Sequence, residues 1–178
     1  MKKIIALILT TIFCLTAFCG CVSNKNFAPD GMKVLESSDK LDYNIYIPAS
    51  WIQDLSTGVV SAYYSASDLS NISMTQFNLE TLDTLQNYVD KYVKDLEENL
   101  KDFKLAEGFP KKTLLDKVEA YKLEYTATLA GNEYKYMQFI CINRATIYYF
   151  TYTAMVDAYD SHTEDVQKII DNFSFKKS

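Results

Sequence analysis

Basic residues are scarce in this chain, and arginine is almost missing: Lys and Arg together number 18 against 23 Asp and Glu, and Arg144 is the sole arginine. An acidic chain without clustered bases excludes nucleic acid as a partner, and it excludes electrostatic adhesion to anionic lipid. Imidazole is nearly as rare. His162 is the only histidine, and as a general base it would need a second group to orient it. With five glycines in all, a Gly-rich phosphate loop is hardly possible, and neither Gly-x-Ser-x-Gly nor His-Glu-x-x-His occurs. After position 21 no apolar run approaches the roughly 20 residues that a membrane-spanning helix needs.

The one long apolar run stands at the start. Lys2 and Lys3 precede an uninterrupted stretch from Ile4 to Phe18, a positive n-region and an h-region within the roughly 7–15 residues of an export signal. Gly20-Cys21 follows. A lipoprotein signal requires a small residue before the cut and a thiol after it, because only the thiol can take a diacylglyceryl thioether. Gly20-Cys21 meets both demands, whereas Phe18-Cys19 puts a bulky ring at the cut. The expectation is cleavage after Gly20 and lipidation of Cys21. Two or three acyl chains, at about 0.8 kcal/mol per buried CH₂, suffice for stable anchoring. The mature chain is thus expected to be anchored to a cell membrane, on its extracytoplasmic face, with the lipid bilayer as its first partner through acylated Cys21.

Loss of residues 1–20 removes two lysines and takes the formal charge from −5 to −7. It also removes Cys14 and Cys19. With Cys21 spent on lipid, Cys141 is the only thiol left, so no intramolecular disulfide can form and packing alone must hold the fold. Cys141 lies in an apolar stretch and reads as a small buried hydrophobe. Residues 21–32 are expected to be the lipidated cysteine and a polar tether, VSNKNFAPDG, reaching about 15–20 Å. Residues 33–178 then form a single domain, long enough for a real core.

Period-2 alternation predicts strands at 33–36, 43–47, 59–66 and 72–78. From Thr81 to Phe103 the period changes. Leu82, Leu85, Val89, Tyr92, Val93, Leu96, Leu100 and Phe103 fall on one helical stripe, with Thr81 as N-cap and Asp90/Lys94, Lys94/Glu98 and Glu97/Lys101 on the wet face. Strands return at 118–129, 134–142 and 146–154, linked by turns at Gly131-Asn132 and Asn143-Arg144. The middle one is apolar on both faces and so reads as central. A last helix is expected to start at a capping box, Ser161 to Glu164, with His162 facing solvent. The fold class is α+β, a central antiparallel sheet flanked by helices on both faces.

Two features could carry chemistry. Asp157, Asp160, His162 and Glu164 gather hard oxygens and an imidazole within a few residues and could hold a divalent cation weakly; the alternative is that they are turn formers and caps. The 14 tyrosines fall mostly on strands, where burial explains them. Tyr46, Tyr64 and Tyr134 are candidates for an exposed binding surface. Trp51, just past Pro48, reads as a core plug.

The segments YNIYIPASW (43–51), ATLAGNEYKYMQF (127–139), IYYFTYTA (147–154) and IIDNFSF (169–175), in that order around a long helix, resemble the PsbP-like family, whose best-known member is an extrinsic subunit of photosystem II. The resemblance spans roughly 33–176. It implies an α/β/α sandwich, and for some members an association with metal ions. The expected function is that of a non-enzymatic accessory or binding lipoprotein with an envelope protein partner and no required cofactor. The alternative is a small-ligand or divalent-metal-binding module, and an envelope hydrolase has least support.

Overall fold

A computed structural model describes residues 28–35, 41–56, 59–79 and 83–177. Gly20 and Cys21, the signal and most of the tether lie outside them, as does Thr81. The described chain joins the fold at a turn through Pro29, Asp30 and Gly31, where Met32 N donates to Pro29 O and Ala49 N to Gly31 O. Strand β1 (Met32–Val34) then pairs antiparallel with β3 (Tyr46–Pro48). The last residues assigned to the tether are therefore part of the body.

The principal sheet has eight antiparallel strands. Its elements are β4 (Ile52–Asp54), β5 (Val60–Tyr63), β6 (Asn71–Asn78), β7 (Lys101–Leu105), β8 (Lys111–Leu115), β9 (Val118–Leu129), β10 (Asn132–Asn143) and β11 (Thr146–Met155), in the order β4-β5-β6-β11-β10-β9-β7, with β8 beside the other half of β9. A small ladder joins β2 (Tyr43–Asn44) to β12 (Ser174–Phe175). Three two-residue hairpins set the register of β8 to β11, at Asp116-Lys117, Ala130-Gly131 and Arg144-Ala145. All six turn residues have positive φ, the geometry that matches strand twist in tight hairpins. Two of these turns sit one residue away from Gly131-Asn132 and Asn143-Arg144, because Asn132 and Asn143 already pair in the ladder.

Alternate residues of the long strands fall into two apolar clusters, as a pleated strand requires. Met137, Phe139 and Cys141 of β10 with Tyr148, Phe150, Tyr152 and Ala154 of β11 join the first; it also holds Trp51 and Val166, Ile169 and Ile170 of helix α2 (Thr163–Asp171). Ile140, Ile147 and Tyr149 join the second with Tyr121, Leu123 and Tyr125 of β9 and Val89 of helix α1 (Leu85–Asn99). The described residues are thus mostly sheet with two α-helices, and the central strands are buried on both sides as their apolar composition predicts.

Two helix boundaries differ from expectation. Helix α1 is capped by Thr84, whose Oγ1 accepts from Asn87 N at 3.1 Å. It stops at Asn99, since Leu100 is extended and Asp102 has φ 54°. Phe103 belongs to β7, yet it packs on the same second cluster as Leu96 and Leu100, so the apolar stripe runs on past the helix. None of the three expected i,i+4 ion pairs forms among the described residues; Lys91 pairs instead with Asp83 at 2.7 Å. Likewise Ser161 caps nothing. A 3-10 turn, Tyr159–His162, precedes α2, and His162 occupies the N-cap position without a side-chain bond to the helix.

Candidate functional site

His162 is the clearest correction to the surface picture. The 3-10 turn rotates it inward, and it is only 6% exposed. Its Nε2 lies 2.7 Å from Asp68 Oδ2, 94 residues away in sequence. Its ring packs at a tilt of 36° on Tyr64 with centroids 4.0 Å apart, and Trp51 meets it edge-on at 6.1 Å. Trp51 is fully buried, and its Nε1 donates to Asp165 Oδ2 at 3.1 Å. Asp68 is held in turn by the amide and hydroxyl of Ser70, at 2.9 and 2.6 Å. Partial burial pushes the Asp68 carboxyl up, but the bonds from Ser70 and His162 outweigh it and leave it below the ordinary carboxylate range.

The other members of the proposed cation cluster stay apart from this pair. Asp160 is an exposed carboxylate whose Oδ1 lies 3.7 Å from Lys135 Nζ, and Asp157 and Glu164 are exposed as well. Among the described residues no three His, Cys, Asp or Glu side chains converge where they could hold a metal ion. Cys141 is completely buried, and burial pushes its thiol up to about 12, which leaves no thiolate at neutral pH. Of the three tyrosines considered for a surface, Tyr46 is buried, while Tyr64 and Tyr134 are half-buried.

The His162–Asp68 pair fastens the turn between β5 and β6 to the start of α2, and that turn borders a broad concavity. A groove of about 840 Å³ lies over β4, β5 and β6. Strand register explains it. Asp54 pairs with Ser61, Ser61 with Ser73, and Ser73 with Thr151, so these residues form one polar row on the face that carries the second cluster. Tyr63 and Asn71 form part of the next row. No member of the second cluster lies on β4, β5 or β6, so α1 leaves this end of the face uncovered and its residues polar. The rim is apolar: Leu55 is 80% exposed, Leu69 70% and Val59 42%. Asp54 is the only carboxylate in the lining. Ser56 donates to its Oδ1 from both hydroxyl and amide, and these bonds hold its carboxyl below the ordinary range. Sequence reasoning missed this groove. Its one sequence signal is an absence, since no Lys, Arg or His occurs from 41 to 90 whereas lysines crowd 91–135.

The fold is that of the PsbP-like proteins. Cyanobacterial PsbP (CyanoP) of Synechocystis sp. PCC 6803 is similar over 84% of this chain and 95% of its own, with a TM-score of 0.58 and 17% identity. LpqN of Mycobacterium tuberculosis, a protein involved in cell envelope biogenesis, matches 84% of this chain and 81% of its own, with a TM-score of 0.56 and 14% identity. A Pseudomonas aeruginosa protein of unknown function matches 83% and 99%, with a TM-score of 0.61 and 16% identity. Likeness at these identities speaks for the fold alone. Family membership is more specific: the DcrB family profile matches residues 44–172, and the chain belongs to the DcrB family. No curated protein matches it in sequence.

Proposed function

We propose that this chain is an extracytoplasmic lipoprotein, held at a cell membrane through acylated Cys21, that works as a non-enzymatic accessory protein by presenting the β4–β6 groove to an envelope partner. The observation that carries the reading is the groove itself, a polar floor with an exposed apolar rim. Such a surface costs stability unless something uses it. The groups best suited to catalysis are occupied elsewhere, His162 in a buried bond and Cys141 in the core. The envelope role of LpqN is consistent with this setting. The division of the core into one cluster holding α1 and another holding α2 also supports an α/β/α sandwich. No helix among the described residues is long and apolar enough to cross a membrane, which suits a lipid anchor.

Two measurements test the reading. Cys21→Ser should move the protein from the detergent phase to the aqueous phase and abolish lipid incorporation; unchanged partitioning would refute the anchor. A photoreactive residue at Leu69, on the groove rim, should give a discrete protein adduct in cells, whereas one at exposed Glu97 on α1 should not. Equal adducts from both positions, or none from Leu69, would refute a partner-binding groove.

A further inference from the structure

We infer that the occupant of the β4–β6 groove is a basic segment of a partner protein, with apolar residues flanking its lysine or arginine. The inference rests on the binding-protein reading and names the chemistry that the groove selects. Neighbouring strands lie about 4.8 Å apart, so the uncovered strip from β4 to β6 is roughly 10 Å across, the width of one peptide segment with its side chains. Ser73 and Asn71 line its floor beside buried Ser61, whose hydroxyl donates to the carbonyls of Asp54 and Val59, and hydroxyl and amide groups both donate to and accept from peptide groups. Leu55, Val59 and Leu69 stand around it, exposed. A single exposed leucine is ordinary, but three apolar side chains about one concavity form a patch that association would dry.

Charge decides between occupants. Asp54 is ionised at neutral pH, kept so by the Ser56 bonds, and the lining contains no base. Because residues 41–90 have no Lys, Arg or His, no base on β4 to β6 offsets that carboxylate. A cationic side chain would gain a charge-assisted hydrogen bond there, and the local field would steer it in. Phosphate-bearing lipid headgroups would meet the same field as repulsion. A bare polyamine would satisfy Asp54 and leave the leucines wet. The Leu69 side of the rim is also set before binding: Tyr64 N donates to Ser70 O, Asp68 N to Ser65 Oγ, and the His162–Asp68 bond fixes the turn from which Leu69 projects. A groove ordered in advance loses little entropy on association.

The experiment uses the full lipidated chain in detergent and three labelled twelve-residue peptides read by fluorescence anisotropy: alternating Lys and Leu, alternating Glu and Leu, and alternating Lys and Ser. The Lys–Leu peptide should bind at least tenfold more tightly than either other. Asp54→Asn and Leu69→Ser should each weaken it roughly tenfold, the range of a lost charge-assisted bond or buried leucine contact. Both sites are at the surface, and an unchanged melting temperature confirms that the variants fold. Binding indifferent to Asp54→Asn, or equal affinity for the Glu–Leu peptide, overturns the inference. Concentration-dependent self-association abolished by Leu69→Ser overturns it too, in favour of a second copy as occupant. If the Leu69 adduct still forms in cells while the peptides fail to discriminate, the chemistry assigned here is wrong and the partner-binding reading stands. If both fail, that reading falls with it.

Discussion

The half-buried His162–Asp68 pair gives the sharpest test of how this end of the molecule is held together. A hydrogen bond to an ionised group contributes about 1.5–3 kcal/mol net. Asp68 keeps 30% of its side chain in solvent while His162 keeps 7%, so the lower end of that range applies. The tilted contact with Tyr64 and the edge contact with Trp51 add about 1 kcal/mol. His162→Ala should therefore cost about 3 kcal/mol once the small cavity is included. Asp68→Ala should cost about 2 kcal/mol, since it also strands the Ser70 hydroxyl. The double variant should lose about 3.5 kcal/mol, which makes the coupling energy about 1.5 kcal/mol. Urea unfolding followed by tryptophan fluorescence suits the measurement, because Trp51 is the only tryptophan in the chain and touches His162. A coupling below about 0.5 kcal/mol would refute the argument. It would mean that ring packing alone holds the turn and that the 2.7 Å contact is incidental.

Acid should expose the same pair by another route. The Asp68 carboxyl sits below its ordinary value in the fold, so its contribution is complete above the unfolded-state pKa and is lost as pH falls through the folded one. Asp68→Asn should flatten the decline in stability below about pH 4; an identical acid limb in the two proteins would contradict the assignment. A third prediction concerns the β10–β11 turn, where Ala145 has φ 60°. A left-handed conformation costs a non-glycine residue about 1–2 kcal/mol, and glycine's extra freedom in the unfolded chain returns about 0.5–1 of it. Ala145→Gly should therefore raise the melting temperature by about 2–3 °C, with the bond from Leu79 N to the carbonyl at 145 retained. A lower melting temperature would refute the turn geometry.

The parts of the fold legible in the sequence are those governed by local pattern. Strands β9, β10 and β11 follow directly from alternation, because each buries one or both faces against contiguous neighbours. Helix α1 is legible but too long, since Phe103 of β7 packs on the same cluster as the helix stripe and extends the period beyond the helix. The capping-box reading failed for a related reason. Ser161 and Glu164 have the right spacing, but the intervening residues close a 3-10 turn that buries His162. What that turn achieves depends on Asp68, which no local pattern connects to it. The groove was the least legible feature. It arises where α1 does not reach, and a covering that stops short leaves only a polar face on strands that otherwise look ordinary.

The two ends of this molecule's wiring lie on different sides of the principal sheet. Met32, just beyond the point where the described chain joins the fold, packs with the first cluster, whereas the polar row of Asp54, Ser61 and Ser73 lies on the face of the second. The domain therefore has a back, on the side where Met32 packs, and a front, where its groove opens. With the chain held through Cys21 as we propose, a groove on the face opposite Met32 would meet what arrives through the aqueous space beyond the bilayer.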